Sequence, residues 1–211
     1  RPVVVHGGGK AISARLAEEK VETKFIQGLR YTCDKTISVV DDVLHNTVNA
    51  ELIRLMSGFK GRPVPVSGKS VLRAEPVEET CVKTGEQLDL GHVGRVVDVD
   101  VAAIQKILER REVPVITPLG CDENGRTFNI NADMAACRIA VCLKAEKLVF
   151  LSDVPGILRD AEKQDSLIST IRLDEIEGLI RDGVIGGGMV PKVRSAANAL
   201  VDGVDKVHMI D

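Results

Sequence analysis

Short aliphatic runs alternate with stretches of helical period along most of the chain, and that alternation decides the fold class before any motif is considered. Pro2–His6, Arg62–Ser67, Val113–Leu119, Lys147–Asp153 and Lys206–Ile210 read as strands. Helical spacing of apolar residues marks about 10–20 (Ile12 and Leu16 on one face), 36–56 (Ile37, Val40, Leu44, Val48, Leu52, Leu55), 101–111, 133–145, 173–182 and 189–202. Strands separated by helices can pair in parallel, because each crossover helix covers a face of the sheet. The expectation is an α/β chain: a three-layer αβα sandwich with a mainly parallel central sheet. One region departs from it. From Val71 to Asp100 short runs are broken by glycine and charge, which predicts antiparallel hairpins.

Composition excludes other classes. A formal net charge of −3 and only 2% aromatic residues leave no basic, stacking surface, so nucleic acid is not an expected partner. No apolar run approaches a membrane span and no signal peptide is legible, so no membrane partner is expected either. Cys33, Cys81, Cys121, Cys137 and Cys142 form no C-x-x-C pair and no ligand spacing with the four histidines. They read as reduced thiols in a cytosol-like compartment, with no metal site.

His6-Gly7-Gly8-Gly9-Lys10 joins the first strand to the first helix. Glycines there let backbone N–H groups close on an oxyanion at a helix N-terminus. A tight turn needing positive φ would explain one glycine, but three in a row favour anion binding. The loop is no dinucleotide fingerprint, because Ile12 stands where the third glycine belongs. Gly68-Lys69-Ser70 is no P-loop tail, because Pro63 occupies the first glycine position.

Asn129-Ile130-Asn131-Ala132-Asp133 puts two amides on one side of an extended segment and a carboxylate at the start of a helix. A plain N-cap at Asp133 and a polar site fit it equally. Gly186-Gly187-Gly188-Met189-Val190-Pro191-Lys192 sets a lysine near a helix N-terminus beside a glycine-rich loop, either solvated or neutralising phosphate. Leu151-Ser152-Asp153-Val154-Pro155-Gly156-Ile157-Leu158 follows a strand at the end where open α/β sheets bind ligands, though by itself a Pro-Gly turn accounts for it. Arg30 after Gly28-Leu29 is either a surface residue or a carboxylate clamp.

Together VVVHGGGKAIS, FIQGLRYT, LDLGHVGRVVDVD, VPVITPLG, TFNINADMAA, LVFLSDVPGIL, VIGGGMVPKV and VDKVHMID resemble the amino acid kinase family over essentially the whole chain, most closely its branch acting on N-acetyl-L-glutamate. The resemblance implies ATP-dependent phosphorylation of that substrate's side-chain carboxylate, in arginine biosynthesis. A related acylated amino acid such as N-acetylaminoadipate is the nearest alternative, and a non-catalytic ligand-binding or regulatory module the alternative of another class. By the same resemblance, Gly8 and Gly9 offer amides to the carboxylate and the transferring phosphoryl group, and Arg30 holds the α-carboxylate. Asn129 binds the acylated amino acid with Asn131 nearby. Asp133 organises catalytic lysines, and Lys192 neutralises the phosphoryl group. Asp153, Val154, Pro155, Gly156, Ile157 and Leu158, with Val184, Ile185 and Gly186, form the nucleotide pocket. Gly91–Gly94 belongs to a hairpin covering the substrate. ATP brings Mg²⁺ on its phosphates, with no protein cage for the ion. One kinase domain spans 1–211, with an approximate N-lobe of 1–117 for the acyl amino acid and a C-lobe of 118–211 for the nucleotide. The family's first strand, with a further catalytic lysine, and its C-terminal strands are not legible in these residues, which implies impaired catalysis by them alone. The family also implies a homo-oligomer, dimer or larger ring, in the cytoplasm (or the plastid stroma of a plant or alga), and leaves arginine feedback and a nitrogen-signalling partner open.

Overall fold

The computed structural model describes residues 1–59, 61–80, 87–152, 154, 156–160 and 162–211. Its elements begin with β1 (Val4–Val5), α1 (Gly9–Glu18), β2 (Phe25–Ile26), β3 (Leu29–Arg30) and α2 (Asp34–Asp42). A wide-turned π segment, Val43–Asn49, leads straight into α3 (Ala50–Ser57). Then come β4 (Pro63–Val66), β5 (Leu72–Pro76), β6 (Glu79–Thr80), β7 (Gln87–Leu88), β8 (Val93–Val99), α4 (Val101–Glu109), β9 (Val113–Ile116), β10 (Leu119–Cys121) and β11 (Thr127–Ile130). The remainder is α5 (Ala132–Cys142), β12 (Lys147–Leu151), α6 (Ile176–Arg181), α7 (Met189–Val201) and β13 (Lys206–Ile210). Two compact units result, Arg1–Ala136 and Cys137–Asp211, with the division inside α5. Among the described residues no helix is long and apolar enough to cross a membrane.

In the first unit β9 lies between β1 and β4, parallel to both, with Val5 opposite Ile116 and Val66 opposite Ile116 from the other side. Its central position accounts for the complete burial of Val115 and Ile116. Pro63 and Pro65 fall on the edge strand β4, where a missing N–H interrupts no ladder. The helical periods meet in one core: Ile12 and Leu16 from α1 pack with Ile37, Val40, Val43 and Leu44. The apolar face then leaves the core, since Leu44 is 1% exposed and Leu55 45%.

The expected strand 113–119 is two strands. Thr117 breaks the ladder by taking the Gly68 N–H on its Oγ1 at 2.9 Å, and Pro118 has no N–H to continue it. The chain turns there into β10. The antiparallel hairpins expected within 71–100 are β5 against β8, with a bulge where Arg73 faces Asp98 but Ala74 faces Val96, and β6 against β7, with Glu79 opposite Leu88. β8 also runs parallel to β11, β11 antiparallel to β10, and β10 meets β5 at Cys121–Arg73. These four strands close into a small barrel, which the hairpin expectation did not contain. The part of that region at residues 81–86 lies outside the described residues.

In the second unit β12 and β13 pair in parallel, from Lys147 opposite Lys206 to Leu151 opposite Ile210. Ile176 of α6, Ile185 and Val193 of α7 form its core. Parallel strand pairs joined through helices make this the α/β class that the alternation predicts.

Candidate active site

The glycine loop leaves β1 and enters α1 at Gly9. Gly7, Gly8 and Gly9 are absent from the positive-φ glycines, and Gly8, at φ −171°, is extended. The tight-turn explanation therefore fails, and space replaces it. A Cβ on Gly8 would sit 2.6 Å from Cδ2 of the buried Leu44 and 3.5 Å from Val48 Cγ2, so the helical stretch presses directly on the loop. A Cβ on Gly9 would meet nothing within 4 Å. That open side is a cavity of about 650 Å³ bordered by Gly8, Gly9, Arg30, Asn129 and Asn131. Five residues expected at the acyl amino acid site are thus neighbours. The first N–H groups of α1 have no partner within the helix and carry its positive end.

Arg30 is positioned by a hairpin that sequence reasoning passed over. β2 and β3 pair through Gln27 (φ 50°) and Gly28 (φ 83°), a two-residue turn with both residues left-handed. Its signal was the Gln-Gly pair, but arms of two residues show no alternation. Arg30 is only 8% exposed. Its Nη2 donates to Ser13 Oγ at 2.8 Å and Gly9 O at 3.2 Å, its Nη1 to Thr23 Oγ1 at 3.4 Å, and the Phe25 ring stacks 4.7 Å from Cζ. Every one of these partners is neutral, and burial holds its pKa below the usual arginine range. Among the described residues no carboxylate balances this charge, so an entering carboxylate would meet a desolvated guanidinium already oriented. Ser13, Phe25 and Lys10 also line the cavity and were not singled out from sequence. Ser13 lies one helical turn beyond Gly9, a spacing that could have pointed to it.

Asn129 on β11 donates from Nδ2 to Thr32 Oγ1 at 3.2 Å, and Thr32 Oγ1 donates to Arg30 O at 2.7 Å. This ties the amide to the arginine's own strand and leaves the Asn129 carbonyl oxygen as an acceptor at the cavity. Asn131 accepts the Met134 N–H on Oδ1 at 3.1 Å. Asn131, rather than Asp133, therefore caps α5, and Asp133 stands half-buried in the first turn. Near the cavity, Gly91 has φ 66°, bridges Thr32 and precedes β8, whose Val93 lines the wall.

The remaining expected residues lie in the second unit. Lys192 is the fourth residue of α7, after Gly186–Gly188, and its Nζ stands 5.0 Å from the centroid of the buried Phe150 ring. Pro191 lies in the same first turn, where its missing N–H breaks no helical bond. Ile185 is 1% exposed and Ile157 packs against the same core, so their side chains anchor the loops they carry. Val184, Gly186, Val154 and Gly156 are more exposed, and Leu158 bridges Leu167. Asp153 and Pro155 lie outside the described residues. Among the described residues no group of three or more His, Cys, Asp or Glu side chains could hold a metal ion.

A model of the amino acid kinase family matches residues 1–211. The chain is 44% identical over 216 residues to an acetylglutamate kinase of Desulfitobacterium hafniense, covering all of this chain and 72% of that one. A solved structure of smu.665 from Streptococcus mutans superposes with a TM-score of 0.87 at 31% identity, covering 99% of this chain and 81% of that one. N-acetylglutamate synthase from Neisseria gonorrhoeae, solved with coenzyme A and N-acetyl-glutamate, superposes with a TM-score of 0.84 at 27% identity, over 100% of this chain and 46% of that one. A family match over the full length, a relative this similar and an α/β fold built around the glycine loop agree, and the chain belongs to the amino acid kinase family.

Proposed function

We infer that this protein transfers the γ-phosphoryl group of ATP to the side-chain carboxylate of N-acetyl-L-glutamate, giving an acyl phosphate for arginine biosynthesis in the cytoplasm or a plastid stroma. The observation that carries the reading is Arg30, a buried guanidinium whose partners among the described residues are all neutral, beside the glycine loop in one cavity. Arg30 takes the α-carboxylate. The Asn129 carbonyl oxygen takes the acetamido N–H, with Asn131 beside it. The backbone amides of Gly8 and Gly9 face the reacting carboxylate and the phosphoryl group. A carboxylate of ordinary pKa, about 4.3, is already ionised at neutral pH and needs no strong general base. A carboxylate oxygen forms the new bond to phosphorus as the bond to the bridging oxygen of ADP breaks. What the chain supplies is alignment and charge neutralisation. Lys192 meets the charge on the phosphoryl group, Asp133 orders the lysines, and the loops at 153–158 and 184–186 receive the nucleotide. Mg²⁺ would arrive on the nucleotide phosphates and would offset part of their charge there. The first unit, Arg1–Ala136, serves the acyl substrate and the second, Cys137–Asp211, the nucleotide, in a homo-oligomer open to arginine feedback and a nitrogen-signalling partner.

The test is ADP release by the complete gene product with ATP, Mg²⁺ and a panel of N-acetylglutamate, N-acetylaminoadipate, glutamate, aspartate and UMP. Strong preference for N-acetylglutamate is expected. Preference for another member would replace the substrate. Nucleotide binding without turnover would favour a non-catalytic ligand-binding or regulatory module.

A further inference from the structure

His6 and Asn49 lie behind the glycine loop and have no part in the chemistry above. His6 is 7% exposed and Asn49 2%. Asn49 is the last residue of the π segment, a kind of turn that recurs at functional sites. Its Nδ2 lies 3.1 Å from His6 Nε2 and donates to Val115 O of β9 at 2.9 Å. An amide nitrogen has two hydrogens, and here both have a destination. His6 Nε2 is then an acceptor, and the ring hydrogen belongs on Nδ1, 2.8 Å from Gly7 O. The alternatives conflict. A hydrogen on Nε2 would face an N–H, and turning the Asn49 amide over would set its oxygen against Val115 O.

The consequence lies one bond further on. The imidazole holds the Gly7 carbonyl, and the Gly7–Gly8 peptide is planar. In a trans peptide the carbonyl and the N–H point in opposite directions, so fixing Gly7 O toward the ring fixes Gly8 N–H away from it. Gly8 borders the cavity, and Leu44 presses on it from the helical side. We propose that His6, held in one tautomer by Asn49, is a positioning residue that aims the Gly8 amide at the anion in the cavity. This rests on the reading of the glycine loop as the oxyanion holder.

The test separates the two nitrogens of the ring. In His6→Asn the amide nitrogen falls where Nδ1 was and still donates to Gly7 O. In His6→Gln the amide reaches the place of Nε2 and still meets Asn49, but nothing holds Gly7 O. Kinetics are compared for proteins with cooperative thermal unfolding, alongside ¹⁵N spectra of the His6 ring and the Gly8 amide without substrate. Expected are a wild-type ring hydrogen on Nδ1, a displaced Gly8 amide resonance in His6→Gln, and a kcat lower by about tenfold to a hundredfold in that variant. The KM for ATP should hold, and His6→Asn should restore most of the loss. A wild-type ring hydrogen on Nε2, a Gly8 resonance indifferent to His6→Gln, or equal losses in the two His6 variants would overturn the proposal. Absence of turnover in the wild type would instead strike the functional reading, and the spectra would still decide the positioning.

Discussion

Arg30→Met is the perturbation whose outcome the structure specifies most fully. Methionine keeps an unbranched stem beside Phe25 and removes every N–H donor. A carboxylate held by two charge-assisted bonds at about 1.5 kcal/mol each loses about 3 kcal/mol, or about two orders of magnitude in KM for the amino acid. At 8% exposure little solvent screens that interaction, so the loss should not shrink toward that of a surface pair. Stability should respond differently. The substitution gives up bonds to Gly9 O, Ser13 Oγ and Thr23 Oγ1, but it also removes a buried charge that no carboxylate balances among the described residues. These effects oppose each other at about 1–3 kcal/mol each, so Tm should move by less than about 5 °C. Steady-state kinetics with each substrate varied in turn, and thermal unfolding of the same preparation, supply both readouts. A KM effect confined to ATP, or a large fall in Tm with the amino acid KM unchanged, would refute the reasoning.

Gly8→Ala forces a methyl group to 2.6 Å from Leu44 Cδ2 and should destabilise the fold by about 1–3 kcal/mol, whereas Gly9→Ala should leave Tm unchanged and impair turnover. Equal Tm values for the two variants would show that the loop yields where it is expected to resist. Lys192→Ala should lower kcat by orders of magnitude with modest effect on either KM, and Asp133→Asn should reduce turnover without loss of fold, since Asn131 carries the helix cap. Full activity in either variant would remove that residue from the site. Burial, the larger cause, and the nearby His45 hold the His6 imidazole below its ordinary pKa of 6.5, against the opposing bond to Gly7. The unfolded chain therefore takes up a proton at higher pH than the folded one, so stability is complete above about 6.5 and falls as pH drops below it. Urea midpoints at pH 7.5 and 5.5 should differ more in the wild type than in His6→Asn, and an identical slope would contradict this.

The elements that sequence revealed are those whose periods run long enough to declare themselves. Ile12, Leu16, Ile37, Val40 and Leu44 mark the core face because burial repeats every three or four residues. The barrel left no such trace, since its closure depends on β8 finding both β5 and β11, and on a single meeting of Cys121 with Arg73. The π segment at 43–49 is too short for its wider period to stand out from that of the flanking helices. At the site, the glycine loop was readable from composition, but its cause was not. Leu44 comes from a segment 36 residues away, and only the fold brings it against Gly8. The burial of Arg30 was likewise invisible, because its partners Ser13, Thr23 and Phe25 are ordinary residues until a two-residue turn folds Arg30 onto them.

The central claim is that a carboxylate, and no other group, receives the phosphoryl group. Hydroxylamine converts an acyl phosphate to a hydroxamate, so the direct measurement is to run the complete protein with ATP, Mg²⁺ and N-acetyl-L-glutamate in its presence. N-acetylglutamyl hydroxamate formed in step with ADP is the predicted result. ADP released without hydroxamate, or neither product at saturating substrate, would contradict it.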